Sequence, residues 1–488
     1  MKNFRFWALF ATLMLAWSTL HAQKSTDIVV LSDTHLMAPQ LNTQPGKAIA
    51  NYASHDMRMT VQSDEIMQSL IAKIKKMKPK LVLITGDLTK DGERLSHERM
   101  VHYLDLLRAS GIATLVIPGN HDISNPNAKS FNGDKIKDAN TITRKEFARL
   151  YRHYGYGNSS QRDTASLSYA CEPLAGLVVL AIDSNRDEEN TLKSRGDESD
   201  TYHNAGQVKP QTAQWLARQA KQARAQGKQV VAIMHHHLIE HFDRESNFLP
   251  NYVVANAKEL RNMLIEAGVH TVFTGHLHVS DVARDYHNGD SITEVATGSA
   301  ISYPFHYRTI SLKGKELNIK TAQLTAIPSC RNLPAQGKAQ VKAQVPAQVD
   351  RLARKAWSKV QSRMGKITSM LAMTGGGKKI LPDNPDAILN IMHQQYDATA
   401  QEAYLAVLEG NEGMNKKSAQ LIEKMKQSIG VAFEHVLPSG AGELVQSFME
   451  ENAMPELDNL LRSLLNDRNH CGTEQEVVVD DLNITLPL

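Results

Sequence analysis

Between residues 24 and about 322 two hydrophobic periods alternate along the chain. Short apolar, β-branched runs recur: DIVVLSDTH (27–35), KLVLITGD (80–87), ATLVIPGNHD (113–122), LVVLAIDS (177–184), VVAIMHHH (230–237), HTVFTGHLH (270–278) and ITEVATGS (292–299). Each has the length and composition of a strand and closes on Gly, Asp, Asn, Ser or His. Segments of helical period lie between several of them, at 63–78, 93–110 and 210–226. Strands alternating with helices predict an α/β architecture built on a largely parallel sheet. Long polar connections fall at 36–62, 123–140 and 185–206. Connections of that length in a compact domain are usually functional or disordered. The acidic run at 185–206 reads as a solvated loop.

Past residue 322 the strand pattern stops. One helical stripe runs through Val349, Leu352, Ala356, Trp357, Val360, Ile367 and Leu371, and a second through Ile388, Leu389, Met392, Tyr396, Ala403 and Val407. A third follows Leu421, Ile422, Met425, Ile429 and Phe433, and a fourth Leu444, Val445, Phe448, Leu457, Leu460, Leu461 and Leu464, broken at Pro455. Gly375-Gly376-Gly377 is a helix stop. Four amphipathic helices predict an all-α helical bundle at the C-terminus. The region is electrically lopsided. Residues 331–379 carry 11 Lys or Arg and one acid, whereas 380–488 carry 6 Lys or Arg and 18 acids. The simplest reading is a basic helix packed beside acidic ones. Weak alternation over 477–486 predicts one edge strand.

The N-terminus has a different character. A basic start at 1–5 precedes the apolar run FWALFATLMLAW (6–17), then small and polar residues up to Ala22. That is the layout of a secretory signal peptide, and the run is short for a membrane span. The expected organisation is therefore a signal peptide over 1–22, a catalytic domain over 23–322 and a helical domain over 323–488. The expected location is periplasmic or secreted, with no transmembrane span in the mature chain. Removing Lys2 and Arg5 lowers the formal charge from +3 to +1. A chain this balanced has no overall electrostatic footprint for a nucleic-acid polymer. Export permits disulfides, but three cysteines leave at least one unpaired. Cys330 and Cys471 bracket the helical region and are placed to staple it, although spacing leaves their connectivity open; Cys171 reads as a buried thiol.

Twenty histidines are many for 488 residues, and several stand at strand ends. Asp33-Thr34-His35, Gly86-Asp87, Gly119-Asn120-His121-Asp122, His235-His236-His237 and Gly275-His276-Leu277-His278 each close a run. In open α/β sheets ligands bind at the carboxyl ends of strands, so these groups should converge. Carboxylate and amide oxygens mixed with imidazole nitrogens suit Mn, Fe or Zn. Seven or so ligands are too many for one tetrahedral ion and suffice for two if one carboxylate bridges. Glycine beside the ligands allows sharp turns and close backbone approach.

The ordered series DTH, GD, GNHD, H and GHLH resembles the calcineurin-like metallophosphoesterase family over residues 27 to about 310. More narrowly, TGDLTKDGERLSH (85–97), VIPGNHDISNPNAKSFNGDK (116–135) and SAISYPFHY (299–307) resemble secreted bacterial class III cyclic-nucleotide phosphodiesterases, which also carry a helical C-terminal domain. The resemblance implies a sandwich of two central β-sheets flanked by helices. It implies two divalent or trivalent metal ions. Asp33, His35 and His278 would hold the first, Asp87 would bridge, and Asn120, His235 and His276 would hold the second. His121 would face the substrate phosphate and Asp122 would orient it. His235 is preferred to His236 because it directly follows the apolar strand, and the choice stays open at this point. The implied reaction is attack of a metal-bridging hydroxide on a small-molecule phosphodiester, a cyclic nucleotide foremost. A phosphomonoesterase (nucleotidase or protein phosphatase) and a binding or adhesion module on the same scaffold remain alternatives. His241, Tyr303 and His306 are further candidates for the pocket wall, and the Met-rich helices read as core.

Overall fold

The computed structural model describes residues 26–190, 203–242, 244–372, 386–410 and 480–488, with isolated positions between 420 and 471. The strands in chain order are β1 (Ile28–Leu31), β2 (Asn42–Gln44), β3 (Leu81–Ile84), β4 (Ala113–Val116), β5 (Lys129–Asn132), β6 (Lys135–Asp138), β7 (Gln161–Arg162), β8 (Tyr169–Leu174) and β9 (Leu177–Ile182). They continue as β10 (Gln229–Met234), β11 (Thr271–Thr274), β12 (Asp281–His287), β13 (Asp290–Ala296), β14 (His306–Lys313), β15 (Glu316–Gln323), β16 (His470–Cys471) and β17 (Asn483–Pro487). The helices are α1 (Lys47–Ala53), α2 (Ser63–Met77), α3 (Arg94–Arg108), α4 (Arg144–Leu150), α5 (Pro210–Ala225), α6 (Glu245–Phe248), α7 (Ala257–Glu266), α8 (Leu333–Ala372) and α9 (Asp386–Glu409).

Two sheets face each other. One has the order β17-β15-β14-β1-β3-β4, the other β16-β12-β13-β11-β10-β9-β8-β7. The centres are parallel: β1 with β3 and β3 with β4 in the first, and β9, β10, β11 and β13 in the second. Their flanks are antiparallel hairpins such as β14–β15 and β12–β13. The alternation of strand and helix signals thus resolves into two mixed sheets. Strands β9 and β10 show why their sequences are apolar throughout. Val179, Ala181, Val231 and Ile233 face the core between the sheets, whereas Val178, Leu180, Val230 and Ala232 face α5 and α7. Burial on both faces removes the polar alternation of a half-exposed strand.

The helices follow ordinary rules. In α2, Ile66, Met67, Leu70, Ile71 and Ile74 form one buried face. Asp64 and Glu65 occupy its first turn and Lys75 and Lys76 its last, each complementing the helix dipole. Helix α5 starts at Pro210, whose missing N–H costs nothing at that position.

Two of the long connections carry structure of their own. Residues 36–62 contain β2 and α1, and 123–140 contain the β5–β6 hairpin, so β2, β5 and β6 make a third, small sheet. Phe131 supplies its core, against Met37, Leu41 and Ile49. The C-terminal end returns to the first sheet: β17 pairs antiparallel with β15, overlapping the end of the span expected to form an edge strand and running one residue past it. Of the four helical stripes, the first two lie in α8 and α9. The triple glycine, residues 191–202 and nearly all of the third and fourth stripes lie outside the described residues, as do residues 1–25. Cys171 is a half-buried thiol whose pKa burial pushes up to about 12, and Cys330 is unpaired.

Candidate metal centre

Five loops leave the carboxyl ends of β1, β3, β4, β10 and β11 and meet between the sheets. Backbone bonds tie them together: the Asp33 amide donates to the Gly86 carbonyl (3.2 Å), His35 to Asp87 (2.9 Å) and Gly275 to His235 (3.1 Å). The turns are tight. Asp33, His35, Asp87, His276 and His278 all have positive φ, a region that non-glycine residues enter at a cost. The adjacent glycines are required by crowding. A Cβ on Gly119 would collide with the Asp87 carboxylate and backbone, and one on Gly275 with Ser32 and the Asp33 carboxylate.

Two donor groups result. Ligand atoms of Asp33, His35, Asp87 and His278 lie within 4.8 Å of one another, as do those of Asp87, His235 and His276. Asp87 belongs to both. In the first group His278 Nε2 is 3.2 Å from Asp33 Oδ1 and 3.1 Å from His35 Nε2. In the second, His235 Nε2 is 3.3 Å from Asp87 Oδ2 and 2.9 Å from Asn120 Oδ1. His235 Nδ1 donates to the Thr85 carbonyl (2.9 Å), which turns Nε2 toward the centre. His276 Nε2 bonds the Asn251 carbonyl, leaving Nδ1 for the cluster. His236 is engaged elsewhere, by Ser184 Oγ at 2.8 Å and the Asn204 carbonyl at 2.9 Å. The strand-end choice between the two therefore falls on His235.

The donor set fits a pair of cations. Asp33 Oδ1 is buried and accepts no hydrogen bond, an expensive arrangement for a carboxylate unless a cation completes it. Burial, then the Arg58 guanidinium with Nη1 at 3.0 Å from Nδ1, hold His35 well below the usual imidazole range. Burial and the neighbouring imidazoles do the same to His276. Neutral rings are what metal ligation requires. Burial opposes ionisation of Asp87, but His235, His121 and His35 overcome it and hold the carboxyl well below its ordinary value.

The loop after β4 places His121 beside this centre. Its amide donates to Asp87 Oδ1 (2.9 Å), and its ring stands edge-on to His35. The ring is oriented by a residue other than the one expected. His121 Nδ1 bonds Asp91 Oδ1 (2.8 Å) and the Lys90 carbonyl (2.9 Å). Asp122 points away from the ring. Its carboxylate accepts from the amides of Leu88, Thr89 and Gly119 and from Thr89 Oγ1, at 2.8–3.0 Å. The expectation that Asp122 orients His121 is thus corrected. Successive residues point to different sides of the turn, and Asp122 locks the loop after β3 to the loop after β4. Asp91 is itself clamped by the buried Lys90, which also pairs with Glu93. The sequence signal for this clamp was the Lys-Asp-Gly run just after Asp87. Burial pulls the His121 pKa down, but Asp87 and the Asp91 hydrogen bond more than reverse this and leave it raised.

A cleft of about 200 Å³ opens over the centre, with Asp87, Asn120, His121, His276 and His278 lining its depth. Tyr303 is on its wall. His306 is instead buried against Ser280 Oγ (3.1 Å). His241 also lies off the cleft, buried between Asp281 and Glu294 at 3.4 and 3.3 Å. His237 pairs with Glu245 beside it.

Residues 26–280 match the family model described as calcineurin-like phosphoesterase. A 3',5'-cyclic-nucleotide phosphodiesterase of Nostoc sp. is 30% identical over 139 residues, 28% of this chain and 44% of that protein. The match therefore spans less than half of that relative's length. The serine/threonine-protein phosphatase CPPED1 of Homo sapiens is 25% identical over 257 residues, 51% of this chain and 68% of that one. Among solved structures, a dimetal phosphatase from Danio rerio aligns over 62% of this chain and 97% of its own, at 12% identity and a TM-score of 0.42.

Proposed function

The chain belongs to the calcineurin-like phosphoesterase family, and on that footing we propose that it is an exported phosphodiesterase acting on small diesters, cyclic nucleotides foremost. The observation that carries the chemistry is Asp87, which is common to both donor groups and anchors the His121 amide at the floor of the cleft. Asp33, His35, Asp87 and His278 would hold one cation, and Asp87, Asn120, His235 and His276 the other. The oxygen and imidazole donors favour Mn or Fe, with Zn as a further candidate. When bound, such a pair supplies Lewis acidity that eases deprotonation of water and offsets charge on phosphoryl oxygens.

The remaining work belongs to the chain. His121 donates its Nδ1 proton to Asp91, so Nε2 is left to face the ester. Its raised pKa favours a ring that still carries a proton for the leaving oxygen. None of the described residues lining the cleft is Lys or Arg. A monoester dianion would find no Lys or Arg among the described lining residues to match its second charge, whereas a diester carries one charge less and a second organic group for the wall. The cyclic-nucleotide phosphodiesterase activity of the Nostoc relative supports the same choice, and the phosphatase activity of CPPED1 supports the phosphomonoesterase alternative. Export rests on the pattern of residues 1–22, and no described helix is long and apolar enough to cross a membrane.

Rates on bis(p-nitrophenyl) phosphate and p-nitrophenyl phosphate test the reading. We expect faster hydrolysis of the diester, dependence on added Mn, and loss of turnover in EDTA. A protein inert on both esters with Mn bound, or faster on the monoester, would overturn it.

A further inference from the structure

The cleft has a wall that does not come from the metal-binding loops. Val341 of α8 and Tyr404 and Leu408 of α9 line it, together with Tyr252 from the α6–α7 connection and Leu277 from the loop after β11. These helices are integral to the packing. Val341, Val345, Leu405 and Leu408 are buried members of the main core cluster. Glu409, at the end of α9, bonds Tyr303 Oη and Lys338 Nζ, and Gln340 Nε2 donates to the carbonyls of Ala53 (3.0 Å) and Asp56 (2.7 Å). Gly337 lies so close to the Phe305 ring that a Cβ there would collide with it. The wall is therefore held at several points along both helices.

Tyr404 stands out within it. It is 38% exposed, whereas Ala403, Leu405 and Leu408 beside it are buried. Yet its surroundings are not open water. Burial pushes its hydroxyl up to about 12, with Tyr252 the next contributor. Tyr404 is among the residues lining the cleft. Tyr252 stacks obliquely on the metal-site ring of His276, with centroids 4.6 Å apart and planes at 37°. Ring surface thus extends from the metal-site imidazole to Tyr252, and Tyr404 lines the same cleft from α9.

We propose that Tyr404 and Tyr252, backed by Leu408 and Val341, form a subsite for an aromatic substituent of the ester, a nucleobase or an aryl group, so that the C-terminal helices determine substrate class. This rests on the phosphodiesterase reading and adds the part of the molecule that selects the organic group. Ring stacking tolerates any flat π-system, so the subsite separates aromatic from alkyl diesters more sharply than it separates bases from one another.

The test compares bis(p-nitrophenyl) phosphate with methyl p-nitrophenyl phosphate, which share a leaving group and differ in the retained one. Wild type should favour the aryl diester in kcat/KM. Tyr404→Ala should lower that ratio by about tenfold, mainly through KM, and Tyr404→Phe should restore it. Competitive inhibition by adenosine, read with the methyl ester, should weaken about tenfold in Tyr404→Ala. An unchanged ratio together with unchanged adenosine inhibition overturns the subsite, and so does an equal fall on both diesters. Failure of the underlying phosphodiesterase reading looks different, because it shows in wild type itself, which would then hydrolyse neither diester with Mn bound or would prefer p-nitrophenyl phosphate.

Discussion

Asp122 follows His121 directly in sequence and Asp91 lies 30 residues before it, yet of the two carboxylates it is Asp91 that bonds the ring. The distinction has consequences. Replacing Asp91 with Asn removes the charge that orients the His121 ring and stabilises its protonated form. We expect turnover to fall about 10- to 100-fold with metal content unchanged by elemental analysis, since partners one step behind the reacting groups carry effects of that size. Asp122→Ala should behave oppositely in the first instance. It strands three amides and a hydroxyl inside the protein, so urea unfolding should show a loss of at least about 2 kcal/mol. The nine candidate residues were legible because each follows an apolar strand. Asp91, Lys90, Arg58, Tyr252 and Tyr404 were not. Each acts through a contact made by a loop or helix whose course no local period encodes, as with Arg58 reaching His35 from a connection read only as long and polar.

At the scale of elements, strands and long helices were readable because both faces of β9 and β10 and one face of α2 are apolar at the right period. The β5–β6 hairpin was not, since its strands are short and Lys-rich and it holds through Phe131 and a turn at Gly133. Helix α3 gives a prediction of its own. His97 is buried, with Nδ1 2.8 Å from Tyr151 Oη and Nε2 2.7 Å from the Asp122 carbonyl. Burial outweighs that carbonyl and depresses its pKa to about 3. The folded ring therefore stays neutral while the unfolded chain binds a proton below about pH 6.5. Its contribution to stability is complete above that pH and declines as pH falls toward the folded value, by roughly 1.4 kcal/mol per unit. Between pH 7 and pH 5, His97→Gln should lose about 2 kcal/mol less than wild type in urea unfolding. Parallel pH dependences would exclude this role.

For the whole molecule, the C-terminal return is the feature with the clearest energetic reading. Arg308 is fully buried, and its guanidinium bonds Thr321 Oγ1 and the carbonyls of Ala296 and Asp481. Truncation after residue 479 would remove Asp481 and strip β17 from the edge of β15. We expect a loss of about 3–5 kcal/mol, the usual cost of an uncompensated buried charge, visible as a lower melting temperature. An unchanged melting temperature would show that β17 is peripheral.

The sequence by itself determined the set of donor groups, their order along the chain and their position at strand ends. Those follow from local periodicity and from the chemistry of each side chain, which neighbours do not alter. Only the tertiary structure decided which of two adjacent histidines faces Asp87, which carboxylate holds His121, and that α9 supplies a wall of the cleft. These depend on side-chain direction and on contacts between residues far apart in the chain, such as Gln340 with Ala53, 287 positions away, which exist only once both sheets and the C-terminal helices have packed.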